Sequence, residues 1–143
     1  MRTIRTISLI LLIFLLVGIA SASEDVNFFN NTTNITFEGV NFTIPQGFGE
    51  LKGAQDFDEL GSEGKTCFYI NEAGGEIQIT VISDWMGMNL DELYKDGAQK
   101  TKINGHEGWN YTHNNLTYFG YVENDIGVLV GATNQTRLFE VVL

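Results

Sequence analysis

The chain has one cysteine, one proline and two histidines among its 143 residues, and each scarcity excludes something. With Cys67 alone, no internal disulfide can form, which fits an oxygen-poor habitat or a core that needs no covalent staple. Its surroundings, Thr66-Cys67-Phe68-Tyr69, read as a strand, so Cys67 is expected to be buried filler rather than a reactive thiol or an intermolecular bridge. His106 and His113 cannot build a metal site of the zinc-protease kind. The run His106-Glu107-Gly108-Trp109-Asn110 lacks the second histidine that such a helix places four residues on. Strand alternation also sends positions 106 and 113 to opposite faces. Both are expected at the surface, near turns.

Basic residues are scarce as well. There are eight Lys and Arg against 18 Asp and Glu, a formal net charge of −10. Only six of the basic residues follow residue 22, whereas all 18 acidic ones do, so the net charge beyond that point is −12. Such a surface repels nucleic acid and anionic lipid, because no basic patch is present to neutralise phosphates. Catalytic signatures are missing too. Gly61-Ser62-Glu63-Gly64 is not a nucleophile elbow, and Lys65-Thr66 is preceded by Gly64 without the rest of a phosphate-binding loop. Asp56, Asp58 and Glu59 carry the hard oxygens that suit Ca²⁺, but their spacing misses the calcium-loop pattern. No catalytic, cofactor-binding or metal-binding residue is therefore assigned, and no cofactor is expected.

What is present begins with a leader. Arg2 and Arg5 precede an apolar run over residues 7–20, and Ala20-Ser21-Ala22 supplies the small-x-small pattern that a signal peptidase accepts. Cleavage after Ala22 would leave 121 residues, the size of one domain. The competing expectation is an uncleaved signal anchor, since residues 4–22 as a helix, at about 1.5 Å per residue, nearly span a bilayer core of roughly 30 Å. Either fate sends the body across the membrane, because positive charge before the segment keeps the N-terminus inside. The expected organisation is a signal peptide or signal anchor over 1–22, a polar spacer or edge strand over 23–34, and a single α+β domain over 35–143.

Within that domain, Val40, Phe42 and Ile44 alternate with Asn41 and Thr43 before Pro45 stops the strand. Residues 50–64 read as an irregular acidic connection. Strands over 65–71 and 76–83 flank Glu72-Ala73-Gly74-Gly75, a hairpin turn. Asn89 with Glu92 forms a capping box for a short helix carrying Leu90, Leu93 and Tyr94, ended by Gly97. Trp85, Met86 and Met88 are expected to cover the sheet beside it. A meander follows, with Asn104-Gly105, His113-Asn114-Asn115 and Glu123-Asn124-Asp125 as its turns. Asn134 is placed to cap a terminal helix containing Leu138, Phe139, Val142 and Leu143. The expected fold is an antiparallel sheet covered on one face by two short helices.

Seven asparagines begin Asn-x-Ser/Thr with x other than proline: Asn30, Asn31, Asn34, Asn41, Asn110, Asn115 and Asn134. They are candidate glycan acceptors, and Asn41 sits on the expected solvent face of its strand.

The stretches VNFTIPQGF (40–48), KTKINGHEGW (100–109) and NQTRLFEVVL (134–143) resemble small secreted or membrane-anchored proteins of methanogenic archaea. The order of elements is similar to the PsbP-like α/β sandwich over about residues 35–143. That resemblance implies a non-enzymatic accessory or sensory domain and conveys no catalytic residue.

These observations point to a non-enzymatic accessory or binding domain outside the cytoplasm. It would be secreted, or held at the outer face of the cytoplasmic membrane by residues 4–22, and would meet an envelope protein or another ligand but no nucleic acid. The competing functions are a secreted hydrolase using His106 with Glu107, and a structural envelope protein that self-associates.

Overall fold

The computed structural model describes residues 26–51, 53–59, 62–83, 97–113 and 115–143, with the backbone alone described for Phe57, Asp58, Glu59 and Ser62. The expected leader, the helix after Asn89, and Trp85, Met86 and Met88 lie outside the described residues.

The described chain is built from ten strands and one helix. The first four strands are β1 (Thr33–Phe37), β2 (Val40–Ile44), β3 (Phe48–Glu50) and β4 (Gln55–Glu59). The long β5 (Ser62–Asn71) and β6 (Glu76–Ile82) follow. After them come β7 (Gln99–Ile103), β8 (His106–His113), β9 (Leu116–Glu123), β10 (Ile126–Ala132) and the helix α1 (Gln135–Val141). Turn chemistry sets much of this. Glu38 and Gly39, Asn104 and Gly105, and Asn124 and Asp125 each place two consecutive residues at positive φ (50° and 82°, 49° and 91°, 49° and 63°). Paired positive φ values suit the two-residue hairpin turns whose twist matches that of the strands.

β1 and β2 form a two-stranded sheet of their own. The other strands form an eight-stranded antiparallel sheet in the order β3-β5-β6-β10-β9-β8-β7, with β4 paired to β5 off that path. The meander, expected to have three or four strands, has four, β7 to β10, with continuous register, and its last strand returns to pair with β6. β6 and β7 are consecutive in sequence among the described strands, yet three others separate them in the sheet.

Residues 50–64 are not an irregular connection. β4 pairs with the first half of β5 through Gln55↔Thr66 to Glu59↔Ser62, while β3 pairs with its second half through Phe48↔Asn71 to Glu50↔Tyr69. The reason is backbone accounting. Ten residues of β5 offer more edge than β3 can satisfy, and the remaining N–H and C=O groups take a strand even though its side chains are acidic.

The main core lies between the large sheet and the layer made by β1, β2 and α1. Phe42, Ile44, Ile77, Ile79, Val130, Leu138 and Val141 are fully buried there. The alternation of β2 is as expected, with Val40, Phe42 and Ile44 buried and Asn41 exposed. α1 is capped by Asn134, whose Oδ1 accepts from the Arg137 backbone N–H at 3.1 Å. The helix is shorter than expected: Val142 turns extended and bridges to Phe42, and Phe139 is exposed. Arg137 lies over the Phe48 ring, 5.2 Å from its centroid, and so fastens the helix to β3.

The sheet is buried on both faces along its centre, which corrects the expectation of a cover on one face only. β6 has Ile77, Ile79 and Val81 on one face and Gln78, Thr80 and Ile82 on the other, and all six are buried. On this second face Trp109 packs across its register partner Gly120, where a Cβ would clash with the indole ring. One expected helix is present, and the sheet-dominated antiparallel architecture stands.

Candidate functional site

A cleft of about 430 Å³ opens where the β1–β2 turn overhangs the β4, β5, β6 and β10 end of the large sheet. Its lining is Glu38, Asp56, Glu63, Gly64, Lys65, Val81, Ser83 and Ile126. Each residue is delivered by a local feature. The positive-φ turn at Glu38 and Gly39 carries the Glu38 carboxylate toward Lys65, whose Nζ lies 3.4 Å from Glu38 Oε1. Pairing of β4 with β5 sets Asp56 directly opposite Lys65. Ser83 closes the far end, with its N–H and its hydroxyl both donating to the Glu63 carbonyl, at 2.9 and 3.0 Å. Val81 and Ile126 give an apolar floor.

Among the described residues, three carboxylates against one ammonium give the lining a net negative charge. The Lys65–Glu38 pair is half exposed and therefore contributes little to stability, on the order of 0–1 kcal/mol. A weak pair at the mouth of a cleft can open without cost to the fold. The Ser83 hydroxyl donates to a main-chain oxygen, and the described lining offers charge and hydrogen-bonding groups. Among the described residues, no group of three or more His, Cys, Asp and Glu is arranged to hold a metal ion. Asp56 lies on a strand rather than in a calcium-type loop, and the Asp58 and Glu59 side chains are outside the described residues.

His106 begins β8, packs tilted against Tyr121 with ring centroids 4.4 Å apart, and its Nε2 lies 2.6 Å from the Leu143 main-chain oxygen. β8 runs from His106 to His113 without a bulge in its pairing, so the two histidines fall on opposite faces as alternation requires. They are half-buried rather than fully at the surface. Glu107 pairs with Lys102 across β7 and β8 and falls on the opposite face from His106. Cys67 is buried as expected, and burial, with the nearby Glu50 charge, pushes its thiol up to about 12.

The sequons divide by exposure. Asn30, Asn31, Asn34, Asn41, Asn115 and Asn134 are exposed, whereas Asn110 is half-buried on β8 opposite Phe119. Sequence reasoning did not find the cleft, because its lining comes from five separate strands and turns.

Comparison of the chain with protein-family models, with curated proteins and with solved structures finds no match.

Proposed function

We propose that this chain is a non-enzymatic accessory or binding domain that works outside the cytoplasm at the cell envelope. The observation that supports this reading is the engagement of His106: its ring packs against Tyr121 and its Nε2 is hydrogen-bonded to the Leu143 main chain, so the residue most suited to acid–base work already has partners in the fold. The negative cleft beneath Glu38 supplies a surface for a cationic or polar group on an envelope protein or ligand. The acidic composition and the leader-like residues 1–22 support the extracytoplasmic placement. The PsbP-like arrangement, with a second helix after Asn89, belongs to the same proposal.

The test is a screen of the domain for ester, peptide and glycoside hydrolysis with a His106→Ala control. The proposal expects no hydrolysis that depends on His106, and a lower unfolding midpoint for the variant. Hydrolysis that disappears in a His106→Ala protein of unchanged fold contradicts it.

A further inference from the structure

The outer face of the β1–β2 hairpin holds two sequons in a reciprocal arrangement. Asn34-Ile35-Thr36 lies on β1 and Asn41-Phe42-Thr43 on β2, and the register sets Asn34 opposite Thr43 and Thr36 opposite Asn41. Thr43 Oγ1 donates to Asn34 Oδ1 at 2.9 Å, and Thr36 Oγ1 donates to Asn41 Oδ1 at 2.7 Å. Each asparagine thus engages its oxygen with the other sequon's threonine. The amide nitrogen, to which a glycan would bond, has no partner among the described residues in either case. Both side chains stand on the exposed face, opposite the buried Val40, Phe42 and Ile44.

We propose that Asn34 and Asn41 are N-glycosylated during passage across the membrane, which makes this hairpin face the glycan-bearing surface of the domain. The inference rests on the extracytoplasmic placement proposed above. In the transfer, a bond forms between the asparagine Nδ2 and the anomeric carbon of a lipid-phosphate-linked saccharide. The bond from that carbon to the phosphate oxygen breaks, the phosphate leaves with the electron pair, and the amide gives up one proton.

Folding order keeps these sequons accessible. A two-stranded hairpin is marginal in water on its own. The apolar face of β2 is buried by Leu138, Val141 and Val142, and Phe42 bridges to Val142 directly. Those residues are made about a hundred positions after Asn41, an interval on the order of 5–20 s at ordinary synthesis rates. The sequons therefore wait in an unlocked segment, and folding afterwards leaves the attached sugars in water. Diagonal neighbours across a strand pair stand about 7–8 Å apart, which leaves room for both attachments on an open face. Asn110 is half-buried opposite the fully buried Phe119, where a saccharide would obstruct the packed sheet face, so chain that reaches this fold is expected to carry none there.

The experiment is intact-mass and peptide mass spectrometry of the full chain recovered from its native cell envelope or medium. The peptide containing Asn34 and Asn41 is expected to carry saccharide mass on both residues. That mass is lost in Asn34→Gln with Asn41→Gln, and equally in Thr36→Val with Thr43→Val, which removes both sequons with β-branched residues suited to the strand. Asn110→Gln is expected to change nothing but the residue mass. Recovery of an unmodified peptide from chain located outside the cytoplasm overturns the glycosylation while leaving the placement standing. Recovery of unmodified chain from the cytosol overturns both.

Discussion

The Asn104 side-chain amide donates to the main-chain oxygen of Val142 at 2.7 Å and to that of Phe139 at 2.9 Å, tying the β7–β8 turn to the end of α1. The last carbonyls of a helix have no partner within it, so this turn residue supplies what the helix lacks. The same asparagine must hold φ at 49° to make the turn. One residue thus serves the local hairpin and a contact 38 positions away.

Asn104→Gly keeps the backbone conformation and removes both donors, and should cost about 1–2 kcal/mol. Asn104→Asp directs a carboxylate at two carbonyl oxygens and should cost more. Urea unfolding of the three proteins is expected to rank wild type above the glycine variant and the glycine variant above the aspartate variant. An aspartate variant as stable as wild type would contradict the donor assignment.

Thr66 and Thr80 are register partners on β5 and β6, buried, with hydroxyl oxygens 2.9 Å apart. Changing either one to Val strands the other hydroxyl away from water, at a cost of about 1–3 kcal/mol. Thr66→Val with Thr80→Val removes both polar groups at nearly constant shape. The double variant should therefore lose less than the sum of the single losses in a double-mutant cycle of urea midpoints. Additive losses would show that the hydroxyls do not satisfy one another.

Alkaline pH should destabilise the fold through its buried thiol and phenols. Burial, followed by the Glu50 charge, lifts Cys67 from 9.0 to about 12. Burial first, and neighbouring charge second, also raises Tyr69, Tyr111, Tyr118 and Tyr121 above 10.0. A group whose folded pKa is raised gives stability that is full below its unfolded pKa and lost as pH climbs toward the folded one. The urea midpoint should hold between pH 7 and about pH 9 and fall above it, with tyrosinate absorbance rising together with unfolding. Tyrosine ionisation in a fully folded chain at its ordinary pH would contradict this.

Much of the strand pattern was legible in the sequence, because turns advertise themselves. Asn104-Gly105 and Asn124-Asp125 carry side chains that tolerate positive φ, and alternation along Val40 to Ile44 assigns inside and outside. β4 was not legible. Its stability comes from the free edge of β5, a property of the partner rather than of its own acidic residues. The second buried face was equally hidden: Gln78, Thr66 and Thr80 are polar by type, and the hydroxyl pair that lets Thr66 and Thr80 be buried appears only with the strand register. The cleft followed the same rule, since Glu38 and Lys65 meet only once the hairpin overhangs the sheet. The sequons could be found by pattern, but the pairing of Asn34 with Thr43 needed the register.

The central claim is that this acidic domain works outside the cytoplasm, and N-terminal sequencing of the chain from separated native fractions tests it most directly. The account predicts chain in the envelope or the medium with Ser23 as its first residue, because Ala20-Ser21-Ala22 follows the charged and apolar segments that a signal peptidase requires. An intact Met1 end confined to the membrane fraction would replace cleavage by anchorage and leave the location unchanged. Intact chain free in the cytosol would contradict the account.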